Sequence, residues 1–353
     1  MEYINSLLSD VIEINMEYKN LNLLPNLSRF IYLQKINCSH NQLTKLNNLY
    51  SSLIKLNCSF NRLKQLDNLP HSLQELDCSS NQLTQLNNLP FCLQELDCSS
   101  NQLTQLHNLP SSLLELYCCY NRITQLDNLP SLQRLNCMNN KLTQLNNLPN
   151  SLRELYCDNN ILSRLDILPF SLQILRCNSN TLTKLDNLPS SLLELDCSYN
   201  QITQLDNLPS SLQKLYCNHN QLTRLDNLPH SLFKLNCSNN QLIQLDNLPI
   251  SLEKLNCSNN QLIQLDNLPS SLFILECFNN KIKSNSLEYW KEQTKNRQSK
   301  LQLLKIKSSV RKIQKIWRKY WYDFYKYELI DGKYIGFCRF IEKSYSVING
   351  NFM

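Results

Sequence analysis

The chain has 353 residues, a mass of 41.4 kDa and a formal net charge of +6, long enough to bury a sizeable core. It contains 72 Leu, 49 Asn, no Ala and three Gly, and those three are Gly332, Gly336 and Gly350, close to the C-terminal end. With no glycine in residues 1–331, glycine-rich phosphate loops and a collagen repeat are excluded, and 42% hydrophobic residues exclude a disordered chain.

Charge divides the chain unequally. Residues 281–353 hold 17 Lys and Arg against 6 Asp and Glu, whereas residues 1–280 hold 18 against 23. A mildly acidic body therefore precedes a strongly basic tail, and attraction to acidic partners belongs to the tail. The N-terminus has neither the basic nor the apolar stretch of a secretory signal, and no apolar run in the sequence approaches a membrane span. An intracellular, cytoplasmic and reducing setting is expected.

Residues 1–32 carry fragments of a pattern that becomes regular only later. Pro25 with Leu21, Leu24 and Leu27 suggests one degenerate unit after a short helix near residues 2–9. Together they read as an N-terminal cap covering the first exposed core face of a stacked repeat.

From Leu33 a period of 20 dominates, with LQELDCSSNQLTQLNNLPFC from Leu73 and LEKLNCSNNQLIQLDNLPSS from Leu252 as representative units. The template is L-x-x-L-x-C-x-x-N-x-L-x-x-L-x-N-L-P-x-S, and thirteen units fill residues 33–284, with one step of 19 between Cys118 and Cys137. Eleven of the twelve Pro occupy one template position. In LQELDCS, Leu76 and Cys78 alternate with Glu75 and Asp77, the period of two that a half-buried strand requires. One unit cannot bury its own leucine face, but stacked units form a continuous core. Proline on the return path blocks strand pairing there and favours extended chain.

These units resemble the leucine-rich repeat, L-x-x-L-x-L-x-x-N/C-x-L, and are most similar to the short repeats of bacterial effectors, with Asn-rich counterparts in giant-virus and amoebal proteins. The resemblance covers residues 33–284, the greater part of the chain. It implies a leucine-rich-repeat solenoid, mostly β, with parallel strands on the concave face and an extended or 3-10 convex side. It also implies that the Asn after each strand (Asn41, Asn61, Asn81 and onward to Asn280) points inward and bonds backbone groups of neighbouring turns.

Thirteen of the sixteen Cys fall at the sixth template position, from Cys38 to Cys277. Strict period and inward alternation make them core residues, since free Cys behaves as a small hydrophobe. A metal centre needs convergent rather than uniformly spaced ligands, and no C-x-x-C occurs, so no metal site and no cofactor are expected. His40, His71, His107, His219 and His230 occupy scattered template positions and read as surface residues, and no catalytic constellation is present.

The third and fifth template positions face outward and vary in a patterned way. Glu75, Asp77, Glu95, Asp97 and Glu115 form an acidic block; Lys214, Lys234 and Lys254 form a basic run; Tyr117, Arg134, Tyr156 and Tyr216 fall between or beside them. Tyrosine beside charge suits a protein-binding surface, so these twelve residues are the candidate partner-binding site on the concave face. Rows of like charge do not stabilise a sheet by themselves, and a binding partner gives them a purpose.

Residues 285–330 read as a basic amphipathic helix. Ile306, Val310, Ile313, Trp317, Tyr320 and Phe324 step by four and three onto one face. Within it, Ile313, Gln314 and Arg318 resemble the I-Q-x-x-x-R core of the IQ motif, and Trp317 suits its aromatic variant, while Lys319 and Asp323 depart from it. The resemblance implies binding of calmodulin or a related EF-hand protein; packing over the last repeat as a C-terminal cap is the competing expectation. Charge alone also suits nucleic acid or an acidic membrane surface. Residues 331–353 suggest one or two short strands. Some bacterial effectors join similar repeats to a cysteine-dependent ubiquitin ligase domain, but the stretch holding Cys338 is too short for one and shows no acid or base partner. The sequence as a whole points to a non-enzymatic interaction scaffold that binds an unidentified protein, with a calmodulin-linked switch as the alternative and an effector or adaptor with tail-borne enzymatic activity as the lesser one.

Overall fold

The computed structural model describes residues 7–282 apart from 48 and 166. The basic tail, with Ile313, Gln314, Trp317, Arg318 and Cys338, lies outside the described residues, and so do the helix and strands expected over residues 285–353.

Among the described residues there are fourteen strands of three residues each: β1 (Glu13–Asn15), β2 (Lys35–Asn37), β3 (Lys55–Asn57), β4 (Glu75–Asp77), β5 (Glu95–Asp97), β6 (Glu115–Tyr117), β7 (Arg134–Asn136), β8 (Glu154–Tyr156), β9 (Ile174–Arg176), β10 (Glu194–Asp196), β11 (Lys214–Tyr216), β12 (Lys234–Asn236), β13 (Lys254–Asn256) and β14 (Ile274–Glu276). They pair in parallel, each with its neighbours in chain order, in a single sheet. At about 4.8 Å per strand the sheet extends roughly 60 Å. No helix occurs among the described residues, so the return path is extended chain and turns.

The core follows the template. Leu73, Leu76, Cys78 and Leu83 are buried in one turn, and the equivalent residues are buried in nearly every other. Strand pairing continues past each strand, Cys78 N donating to Asp97 O at 2.8 Å. On the return path the amide of Leu73 donates to the Pro70 carbonyl at 3.1 Å, a turn repeated wherever the proline recurs. Serine finishes that corner: Ser112 Oγ donates to the carbonyls of Phe91 and Leu93, both at 2.7 Å. Cys92 stands in this serine row, half-buried.

Most turns contain two left-handed residues, neither of them glycine. One immediately precedes the ladder asparagine, as at Ser80 (φ 53°) and Phe60 (φ 52°); the other is the Asn of N-L-P, as at Asn88 (φ 53°) and Asn128 (φ 53°). Asparagine is one of the few residues that enters this region readily, which accounts for much of the Asn in a chain whose repeats lack glycine.

The N-terminal segment contains a full turn. Strand β1 pairs with β2 in register, Ile14 opposite Ile36, with Met16 at the cysteine position and Lys19 at the asparagine position. Asn41 compensates from the next turn, donating to Met16 O at 2.8 Å and accepting the amides of Lys19 and Leu21 at 3.1 and 2.9 Å. The expected helix near residues 2–9 lies mostly outside the described residues, and residues 7–9 are not helical.

Candidate functional site on the outward strand face

The pleat places all twelve predicted partner-binding residues at the ends of strands, pointing away from the leucine core. Parallel register stacks them in rows: Glu75 opposite Glu95 and Glu95 opposite Glu115, Lys214 opposite Lys234 and Lys234 opposite Lys254. The face divides into three zones.

The first is acidic and incompletely neutralised. Lys55 pairs with Glu75, whereas Glu95 has no ion pair among the described residues. Burial, with Glu115 and Glu75 on either side, raises its carboxyl above the usual carboxylate range. Asp97 departs from the expected exposure: it is only 5% exposed, and its Oδ1 accepts the Ser99 amide at 2.9 Å. Burial, and then the Asp77 carboxylate directly opposite, push Asp97 up to about 7.

The central zone is a chain of ion pairs. Arg134 grips Glu154 through Nε–Oε2 at 2.8 Å and Nη2–Oε1 at 3.0 Å. Its Nη1 donates to Glu115 Oε2 at 2.9 Å and to the Tyr117 hydroxyl at 3.1 Å. Tyr117 in turn donates to Glu115 at 2.6 Å, and Tyr156 to Glu154 at 2.9 Å. The planar guanidinium suits such a two-pronged grip, and the Arg134 hydrogen bonds hold Glu154 below the usual range. Further along, Glu194 takes Arg176 at 2.8 Å and Lys214 at 2.9 Å. Burial works to raise the Glu194 carboxyl, but these two cations hold it down.

The third zone is basic. Lys234 lies over the Tyr216 ring at 4.8 Å and Lys254 over Phe273 at 5.6 Å, contacts favoured by the negative face of the ring. Neither lysine forms an ion pair among the described residues.

Several residues of this face escape a reading of the sequence. Glu154, Arg176 and Glu194 share the template positions of the predicted set, but their role emerges only when strand register sets them beside Arg134, Tyr156 and Lys214. A column of rings at the left-handed position is the other omission: Tyr18 stacks on His40 at 4.3 Å, His40 on Phe60 at 4.2 Å, and Tyr199 on His219 at 4.1 Å. His40 and Phe60 at the same template position in consecutive units are the available signal. Burial lowers the affinity of His40 for a proton, with Glu17 and Asp77 opposing the shift.

The thiols of the cysteine row lie beneath this face. Cys78 Sγ donates to the Asp97 carbonyl at 3.3 Å, and Cys38 and Cys157 do likewise one turn ahead of themselves. Burial pushes these thiols up, Cys38 to about 12. No group of three His, Cys, Asp or Glu among the described residues could hold a metal ion, and no helix there is long and apolar enough to cross a membrane.

Neither a protein-family model nor a curated protein matches the chain. Solved structures do. YopM from Yersinia enterocolitica WA-314 is 35% identical with a TM-score of 0.68, over 76% of this chain and 65% of that one. YopM of Yersinia pestis, a leucine-rich effector protein, is 35% identical with a TM-score of 0.68, over 77% of this chain and 84% of that one. The functional domain of InlJ from Listeria monocytogenes, which includes a cysteine ladder, is 28% identical with a TM-score of 0.68, over 78% of this chain and 64% of that one. The chain thus spans about two thirds of the Y. enterocolitica and Listeria chains. A period of twenty, an in-register parallel sheet, an asparagine ladder and this identity to YopM lead to one assignment: the chain belongs to the leucine-rich-repeat proteins related to YopM.

Proposed function

We propose that this protein is a non-enzymatic interaction scaffold that binds a partner protein through the outward strand face. The observation that carries the reading is the contrast between the two sides of each strand. The inner side repeats almost without change, whereas the outer side carries Glu95, Lys234 and Lys254 without ion pairs among the described residues, beside half-buried Tyr117, Tyr156 and Tyr216. Ring and charge together on a rigid sheet supply both anchors and specificity for a protein ligand. The likeness to an effector protein supports a role in engaging other macromolecules.

The full chain and its Glu75→Lys, Glu95→Lys, Glu115→Lys triple variant serve as paired baits in a native extract. A protein retained by the first and lost by the second is the expected result. Equal retention by both would remove the strand face from the reading.

A second reading attaches to the tail. Ile313, Gln314 and Arg318 match the centre of an IQ motif and Trp317 its aromatic variant, so the tail is proposed to bind calmodulin or a related EF-hand protein and to alter what the repeats hold. Calmodulin titrated onto the full chain should bind, and an Ile313→Ala, Gln314→Ala variant should not; equal binding would end that proposal.

A further inference from the structure

The outward charges are arranged symmetrically about the middle of the sheet. Because the strands follow chain order without crossover, a two-fold axis parallel to the strands and lying between β8 and β9 turns a second copy face to face in reversed order. Strand β4 then meets β13, β5 meets β12, β6 meets β11 and β7 meets β10. At the third template position Glu75 faces Lys254, Glu95 faces Lys234, Glu115 faces Lys214 and Arg134 faces Glu194. Two diagonal pairs, third position to fifth, add Lys55 with Glu276 at the ends and Glu154 with Arg176 at the centre. Every such pair is of opposite sign, and at the fifth position Tyr117 meets Tyr216.

Pairing within one chain cannot satisfy the ends. The central carboxylates already have Arg134, Arg176 and Lys214, whereas Glu95, Lys234 and Lys254 have no ion pair among the described residues. The acidic and basic zones lie seven or eight strands apart, roughly 35–40 Å, well beyond the screening length of about 8 Å at physiological salt.

We propose that the strand face binds a second copy of this chain as a two-fold dimer, the acidic end of each copy on the basic end of the other. This rests on the reading of that face as a protein-binding surface and names one occupant for it. An isologous contact requires a self-complementary patch, which the reversed order provides. The unneutralised charges of this face, Glu95 on one side and Lys234 and Lys254 on the other, lie towards its two ends. Three-residue strands make the face about 10 Å wide and 60 Å long, about 600 Å² per copy, at the low end for a specific interface. The dimer is therefore weak and salt-sensitive.

Sedimentation of the full chain from about 1 to 200 µM at low salt, the range that resolves a weak association, tests this, with two variants, Lys234→Glu with Lys254→Glu and Glu75→Lys with Glu95→Lys. Wild type is expected to dimerise in the micromolar range and to weaken at least about tenfold at high salt. Each variant alone should sediment as a monomer, and an equimolar mixture should recover a dimer, which also shows that both are folded. A wild type monomeric throughout overturns the dimer while partner capture by the same face still stands or falls on its own experiment. A dimer that persists unchanged in both variants also overturns it, because the contact then lies elsewhere.

Discussion

The side-chain amide of Asn101 donates to the carbonyl oxygen of Cys78, one turn earlier, at 3.1 Å. The same nitrogen reaches the carbonyls of Cys98 and Ser99, each at 3.1 Å, and Oδ1 accepts the amide of Leu83 at 2.9 Å. One buried side chain thus satisfies backbone groups of two successive turns where the strands end and ladder bonding stops. The arrangement recurs from Asn41 through Asn280. Because each turn touches only its neighbours, such links carry cooperativity along the solenoid.

Asn101→Ala should therefore cost much more than a surface change. It leaves several buried backbone groups without partners, at about 1–3 kcal/mol for each group stranded, so a loss of about 3 kcal/mol is expected. Urea unfolding should show a markedly lower midpoint for Asn101→Ala than for Gln102→Ala on the adjacent exposed position. Equal midpoints would mean that the ladder satisfies geometry without contributing stability.

The rows were legible where one residue type does one job in every turn. Leu76, Cys78 and Asn81 recur at fixed offsets, and period two or a family position suffices to point them inward. Strand β1 was hidden because Met16 and Lys19 replace the cysteine and asparagine by which a turn is recognised. The left-handed turns were also hidden. Phe60 and Tyr120 at positive φ run against the preference of a bulky residue, and stacking of the turns imposes that conformation from outside the residue. The bridge from Glu115 through Arg134 to Glu154 depends on register between strands of three successive units. It appears only once the turns are superposed.

The left-handed asparagines yield a second test. Asn128 has φ 53° and is exposed, so a change there reports on the backbone more than on packing. Asn128→Gly should leave stability unchanged or slightly higher, because glycine enters this region freely. Asn128→Ala should lose about 1 kcal/mol, the cost of a Cβ in the left-handed region, and Asn128→Val should lose more. Thermal melts of the three variants check the order Gly, Ala, Val, and a melt of Ala equal to Gly would show that this turn relaxes.

Thiol chemistry gives a third. A thiolate is the reactive form, and burial holds the row from Cys38 to Cys257 protonated and inaccessible. Cys92, Cys119 and Cys277 are half-buried, the thiol of Cys119 raised to about 11 by burial. Under native conditions a thiol reagent should modify Cys92 and few others quickly, while all sixteen cysteines of the chain react after denaturation. Rapid native labelling of Cys98 or Cys157, read by peptide mass, would mean that the turns open locally.

The carboxyl of Asp97 gives the folded state a distinctive pH dependence. Its affinity for a proton is raised from the ordinary value near 3.8 to about 7, so the folded chain binds more protons than the unfolded chain between those limits. Stability contributed in this way is fully present at the acid end of the window, falls as pH rises through it, and is lost above about 7. Asp158, raised by burial to about 6, acts in the same sense. Glu154 and Glu194 act oppositely, with losses confined to lower pH because their carboxyls are held down. His40, whose proton affinity is lowered, also opposes Asp97 near neutrality. The difference between wild type and Asp97→Asn therefore isolates Asp97. Asparagine keeps an acceptor for the Ser99 amide and removes the buried charge facing Asp77. At about 1.4 kcal/mol for each tenfold change in proton affinity, Asp97→Asn should stabilise the chain by about 4 kcal/mol at pH 8, with the gain vanishing towards pH 4. Urea midpoints at intervals across that range measure it. An Asp97→Asn gain that is the same at pH 5 and pH 8 would show that the Asp97 carboxyl stays ionised throughout and that no proton is shared with its neighbours.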